Sequence, residues 1–201
     1  MKLLLFSDLH IQLDLAKKLV EKSREVDVVI GAGDFAIMHQ GLEETLQALR
    51  PIAKPLVIVP GNGETYEELK EAVKGWDNCY ALHGNGIKLL GVDFFGIGGG
   101  IPVTPFGSWS YDFTENEAKN LLKDLPEKAV LISHSPPKNI LDKSSSGVHL
   151  GSTAVRAAID EKHPRLLVCG HIHESGGRQE WLSNTLVVNA GPGGITVDVD
   201  V

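Results

Sequence analysis

The stretch RLLVCGHIH, residues 165 to 173, is an apolar run that breaks into two histidines one residue apart. Neighbouring side chains of a strand point to opposite faces, so the unbroken run Leu166 to Cys169 calls for a strand covered on both faces. Beyond the strand the chain has to turn, and there His171 and His173 can converge on one small volume. Two neutral imidazoles that converge are suited to a shared metal site. Two solvated histidines on a surface turn are the plain alternative.

The same form recurs along the chain. KLLLF (2–6) leads into SDLH with Asp8 and His10, DVVI (27–30) into GAGD with Asp34, PLVIV (55–59) into PGNGE with Asn62, and KAVLI (128–132) into SHS with His134. Between the first three runs, apolar residues fall at helical spacing: Leu15, Leu19 and Val20 within 13–23, and Leu42, Leu46 and Leu49 within 42–49. These are expected to be crossover helices of parallel βαβ units. Further helices are expected over 64–74, 114–123 and 152–161, the last capped by Ser152 or Thr153. Strand-like pieces at 78–82, 87–90, 92–97, 178–182, 185–189 and 195–200 read as hairpins and meanders. The pattern predicts one α/β domain over residues 1–201, with two mixed sheets packed face to face and helices outside. Parallel strands leave a ligand crevice beyond their C-terminal ends, so five strand ends bearing metal-capable side chains point to a site.

Composition narrows the partners. A chain of 201 residues with 42% hydrophobic and 22% charged residues and a net charge of -7 is poorly suited to extended nucleic acid, which is held through basic surfaces. No apolar run approaches the ~20 residues of a membrane span, and LLLF is too short for a signal-peptide core. The expected compartment is the cytoplasm, with no membrane partner. Cys79 and Cys169 form no CxxC pair and are expected to be reduced. The oligomeric state is not legible in the sequence.

DLH, GAGD, GN, SHSPP and GHIH, in that order, resemble the calcineurin-like metallophosphoesterases from Lys2 to about Gly193. GDF, TPFGSWSYDFTENE, HSPP and GHIHES resemble the small, uncapped, single-domain branch of that superfamily. The resemblance implies a four-layer α-β-β-α sandwich with flanking helices and a binuclear centre. In that centre Asp8, His10 and His173 would hold one divalent ion, Asn62, His134 and His171 the other, and Asp34 would bridge them. The implied chemistry is hydrolysis of a small phosphodiester, nucleotide-derived among the options, by a hydroxide shared between the ions. A phosphomonoesterase, a nuclease and a catalytically attenuated protein-binding scaffold are the alternatives. Imidazole and oxygen donors without thiolate suit Mn, Fe, Co, Ni or Zn.

The chain departs from that family at one point. Many relatives carry His directly after the Asn, whereas Gly63 stands here. Loss of a general acid, typically worth ~10² to 10⁴ in rate, would slow esters with poor leaving groups. Alternatively Gly63 opens room for a bulkier substrate, or His39 or His149 donates the proton from a neighbouring loop. Glu64 reads as a helix-start residue. Trp109, Tyr111 and Phe113 recur at period two, either as a wall for an aryl group or as packing over a sheet edge. Lys138 and Lys143 are candidates to grip a second phosphate substituent.

Overall fold

Each of the five apolar runs becomes a strand in the computed structural model, which describes residues 1–200. The order is β1 (Lys2–Phe6), α1 (Leu13–Lys22), β2 (Val28–Gly31), α2 (Leu42–Leu49), β3 (Leu56–Ile58), α3 (Tyr66–Ala72), β4 (Cys79–Ala81), β5 (Asn85–Leu89) and β6 (Val92–Ile97). It continues with α4 (Glu115–Leu121), β7 (Val130–Ser133), α5 (Thr153–Lys162), β8 (Leu166–Cys169), β9 (Arg178–Leu182), β10 (Thr185–Asn189) and β11 (Ile195–Asp198). One sheet has the order β11-β1-β2-β3-β4, parallel except for β11. The other has the order β5-β6-β7-β8-β10-β9, parallel in its middle and closed at each edge by an antiparallel strand.

Strand alternation builds the layers. Leu3 and Leu5 of β1, Val28 and Ile30 of β2, Val130 and Ile132 of β7, and Leu166 and Val168 of β8 share one core between the sheets. Their neighbours turn outward. Leu4, Phe6 and Val29 pack with Leu19, Leu46 and Leu69 of α1, α2 and α3, while Leu131, Leu167 and Cys169 pack with Ala118 of α4 and Val155 of α5. The result is the α-β-β-α sandwich, with β1, β2, β3, β7 and β8 covered on both sides and the edge strands β5, β9 and β11 largely open. Burying one such side chain contributes about 1.5–3 kcal/mol. No helix among the described residues is long and apolar enough to cross a membrane, and Cys79 and Cys169 are buried and unbonded.

The helix expected from residue 64 starts at Tyr66 instead. Thr65 is its cap, accepting from the Glu68 N–H while the Glu68 carboxylate accepts from the Thr65 N–H. The same box, Thr114 with Glu117, opens α4, and Ser152 caps α5. These caps fix where the loops that carry the strand-end residues stop.

Leu5 is fully buried in the layer between the sheets, whereas Leu90 is 62% exposed at a turn. Leu5→Ala should cost about 2–5 kcal/mol and Leu90→Ala less than about 0.5. Urea denaturation midpoints of the two variants against the parent chain check this.

Candidate metal centre

The strand ends turn sharply, and the side chains at those turns meet. Asp8 (φ 55), His10 (φ 43), Asp34 (φ 57) and His171 (φ 65) all hold left-handed backbone. Such backbone costs a residue with a side chain about 1–3 kcal/mol and persists only where the surroundings impose it. Here the loops after β1 and β2 impose it on each other: Asp8 N–H donates to Gly33 O (2.9 Å), His10 N–H to Asp34 O (3.0 Å) and Ile11 N–H to Phe35 O (3.2 Å). The His171 N–H donates to Asp8 Oδ1 (3.0 Å), joining the other sheet to this pair. Contact this close requires glycine at two places. A Cβ at Gly61 would collide with Asp34, and one at Gly170 with Asp8 and Ser7.

Two groups of lone pairs result. In the first, His10 Nε2 lies 3.2 Å from His173 Nε2 and 3.5 Å from Asp34 Oδ2, and His173 Nε2 lies 3.6 Å from Asp8 Oδ1. In the second, His134 Nε2 lies 3.2 Å from Asn62 Oδ1 and 3.5 Å from Asp34 Oδ1, with the His171 ring edge-on at 5.0 Å. Asp34 therefore turns one carboxylate oxygen to each group. The other ring nitrogens identify the tautomers, because a carbonyl only accepts. His10 Nδ1–H faces Ala36 O (3.2 Å) and His134 Nδ1–H faces Ala32 O (2.8 Å), so in the neutral rings both Nε2 atoms carry lone pairs. Asn62 donates its amide to Ser110 Oγ (3.2 Å), which turns its oxygen inward.

Acceptors crowded against acceptors repel unless a cation lies among them. Donors bound to one transition-metal ion at ~2.0–2.2 Å sit roughly 3 to 3.5 Å apart, close to these spacings. The first group, Asp8, His10, Asp34 and His173, thus fits a divalent ion, and His134 and Asn62, with the His171 ring alongside, lie on the other side of Asp34. The titrations agree. Burial works against ionisation of Asp8, yet the His173 hydrogen bond and the nearby His134 and Ser7 hold it at about 2. Burial, with the charge of His134, pushes His171 down to about 4, leaving it neutral as a ligand must be. The Asp8 hydrogen bond raises His173, and the carboxylates of Asp34 and Asp8 raise His134 against its burial.

Glu64 has a different role from the one read in the sequence. It is fully buried, and Oε1 accepts from Gly61 N–H (2.7 Å) and Asp34 N–H (2.9 Å) while Oε2 accepts from Ala36 N–H (2.9 Å). One carboxylate thus welds the loop after β2 to the loop after β3. Burial and the charge of Asp34 raise it to about 7, against the pull of its N–H donors. A signal for this was present: Thr65 with Glu68 already forms a complete capping box, so the helix has no use for Glu64.

A cleft of about 380 Å³ opens over the cluster, lined by His10, Asp34, Asn62, Gly63, His171 and His173 together with Ile37, Met38, Phe106, Trp109 and Leu150. A larger groove of about 650 Å³ runs between α2 and α3, away from all seven donors. His39 borders that groove. Its Nδ1 meets Glu68 (2.9 Å) and its Nε2 meets Trp109 O (2.6 Å), so both ring nitrogens serve to clasp the Trp109 loop to α3. His149 Nδ1 meets Asp142 Oδ1 (2.5 Å), and Lys138 Nζ donates to His149 O (2.7 Å). Lys143 pairs across its loop with His149. None of these four lines the cleft. Trp109 does, but Tyr111 and Phe113 pack on His83 at 5.7 and 4.9 Å, as covering for the sheet edge. Gly63 lines the cleft and donates its N–H to Asp34 Oδ1 (2.8 Å). Its backbone is not left-handed. A Cβ there would lie 2.9 Å from Ala36 O and 3.3 Å from Asp34 Oδ1, so a side chain needs the Ala36 carbonyl to move.

The chain belongs to the calcineurin-like phosphoesterase superfamily, whose domain model matches residues 1–199. The family uses binuclear divalent-metal centres, and Asp8, His10, Asp34 and His173 offer ligand atoms within 4.8 Å of one another, a cluster able to hold a metal ion. Solved structures share the fold. A Thermus thermophilus protein aligns with a TM-score of 0.77 at 18% identity over 94% of this chain and 88% of its own. A dimetal phosphatase from Danio rerio aligns at 0.64 and 14% over 94% and 86%, and a phosphopantetheinyl hydrolase from Mycobacterium tuberculosis at 0.62 and 16% over 94% and 88%. None of the curated proteins matches the sequence.

Two outcomes are expected. Protons on the raised His134 and His173 compete with cations, so Mn²⁺ affinity should fall as pH drops from 8 to 5, with protons released on binding. Calorimetry in buffers of different ionisation enthalpy measures both, and an affinity flat across that range contradicts the donor assignment. Glu64→Gln should lower stability by about 1–3 kcal/mol even in chelator, because an amide NH₂ must then face a backbone N–H. Thermal melts in chelator, with metal content measured separately, check it.

Proposed function

We propose that this protein is a binuclear metal-dependent phosphodiesterase acting on a small phosphoester. The observation that carries the reading is Asp34, whose two carboxylate oxygens face two separate donor groups. Two divalent ions held there would supply the Lewis acidity that activates water and draws in the oxygens of a phosphoester. Manganese is the ion we favour for testing, from a donor set that equally suits Fe, Co, Ni or Zn.

The chain's own residues do the rest. Asp8 and Asp34 bring only two negative charges among seven donors, too few to neutralise two divalent ions. The centre therefore attracts an anion in a chain of net charge -7. Asn62, held by Ser110, and His134, held by Ala32 O, keep their donor atoms aimed without rearrangement. The Gly63 N–H holds Asp34 Oδ1 in line. With Gly63 in place of an imidazole, and His39 and His149 engaged elsewhere, no carboxyl or imidazole side chain among the described residues but Glu174 is left in the cleft, outside the donor set, to protonate a leaving oxygen. Esters with good leaving groups should be turned over and alkyl esters hardly at all. The full donor set speaks against an attenuated scaffold. A cytoplasmic location belongs to this reading, in keeping with two buried free cysteines.

Manganese-loaded protein should hydrolyse bis(4-nitrophenyl) phosphate faster than 4-nitrophenyl phosphate and lose both activities in chelator. Asp34→Asn should lower kcat further than Asn62→Ala, and beyond the ~10–100-fold typical of an outer-shell partner, since Asp34 serves both donor groups. Equal losses of kcat and of bound metal in the two variants would refute the bridging role.

A further inference from the structure

Among the described residues, six of the eight exposed large apolar side chains, Ile37, Met38, Val103, Phe106, Val148 and Leu150, lie on three loops around the cleft; the other two, Leu90 and Trp181, lie elsewhere. Four of the six line the cleft itself. Left in water, apolar side chains gathered at one opening mark a surface that something covers. The cleft already holds the candidate metal centre at its base, so the occupant is the rest of whatever the centre acts on.

The shape of the collar is imposed. Ile37 and Gln40 exchange backbone hydrogen bonds (3.0 and 2.9 Å) across a two-residue turn. Both central residues, Met38 (φ 48) and His39 (φ 65), are left-handed, and Asn-Gly is the pair that fills such a turn at low cost. Methionine stands there instead, half exposed and lining the cleft. His39 ties this turn to the carbonyl of Trp109 (2.6 Å). The Trp109 ring stacks on Phe106, with centroids 5.6 Å apart and planes 12° from parallel. That stack is a flat aromatic surface beside the centre.

The charge of the collar narrows the ligand further. No Lys or Arg among the described residues lines the cleft, and its only charged side chain outside the donor set is Glu174. The Ser145 N–H donates to Glu174 Oε1 (3.0 Å), which holds that carboxylate at the rim. A second phosphate on a ligand would find no cation and would meet Glu174.

We infer that the cleft takes a phosphodiester with a single phosphorus-borne charge and an aryl substituent that lies against Met38, Phe106 and Trp109. The inference rests on the phosphodiesterase reading and supplies its substrate class. Nucleoside polyphosphates and oligonucleotides are excluded by it.

Calorimetry on manganese-loaded protein with diphenyl phosphate and dimethyl phosphate tests the binding. Kinetics with phenyl and methyl 4-nitrophenyl phosphates, which share a leaving group, test the turnover. Diphenyl phosphate should bind at least roughly tenfold more tightly than dimethyl phosphate, from its larger apolar area. Met38→Asn suits the left-handed turn and should melt no lower than the parent, yet it should cut the aryl preference, as should Phe106→Ser. Leu90→Ser, remote from the cleft, should leave it unchanged. Equal affinity for the two diesters overturns the inference, as does a preference that both cleft variants retain. Equal affinity together with sedimentation on phosphatidylcholine vesicles also overturns it and assigns the collar to a lipid surface. Aryl-selective binding without turnover of either nitrophenyl ester leaves the inference standing and refutes the phosphodiesterase reading.

Discussion

Lone-pair donors turned inward on one another around Asp34, with no fixed positive charge among them, are the constraint on which the rest of the structure depends. Left alone, His10 and His173 would swing apart and Asn62 would turn its oxygen away from His134. His10 is held from behind by Ala36 O, Asn62 by Ser110 and His134 by Ala32 O. The arrangement makes chemical sense only with cations, or protons in their place, between the donors. The raised titration of His134 and His173 and the depressed titration of Asp8 are expressions of that one demand.

Holding it requires a rigid frame. Four of the seven donor residues sit in left-handed backbone, which flexible loops would relax. The strands beneath them are covered on both faces, so their ends cannot shift without opening one of three apolar layers. Above the strands, Glu64 bonds three backbone N–H groups of the two central loops. A buried carboxylate beside Asp34 is costly by itself. It is retained because without it three buried N–H groups would lose their acceptor at the place where Asp34 is set.

The opening of the cleft follows different rules from its base. Below, the side chains are polar, and Asp8, Asp34, Asn62 and His134 among them are buried. Above, they are apolar and exposed, on loops that need no such side chains for packing. Gly63 lies at the boundary, where the Ala36 carbonyl leaves too little room for a side chain and the N–H is already given to Asp34. The glycine therefore belongs to the support of the Asp34 carboxylate, which accounts for its presence on grounds other than a lost acid.

The sequence by itself determined the sandwich and, through the family resemblance, named the candidate donors. Unbroken apolar runs such as Leu166 to Cys169 have to be doubly covered strands, and the Asp, Asn and His residues just beyond such runs share one edge by topology alone. Tertiary structure decided what those residues are held by. The sequence around Glu64 looks like a helix start, and only the fold shows three N–H groups from two loops converging on its carboxylate. Trp109, Tyr111 and Phe113 look alike at period two, yet one lines the cleft while two seal a sheet edge against His83. His39 and His149 are as close in sequence to site-bearing strands as a proton donor needs to be, but their partners, Glu68, Trp109 O and Asp142, lie in the fold. Periodicity follows from local backbone geometry and so is written in the chain. The partner of a loop side chain depends on which distant segments the layers bring beside it, and no local pattern encodes that.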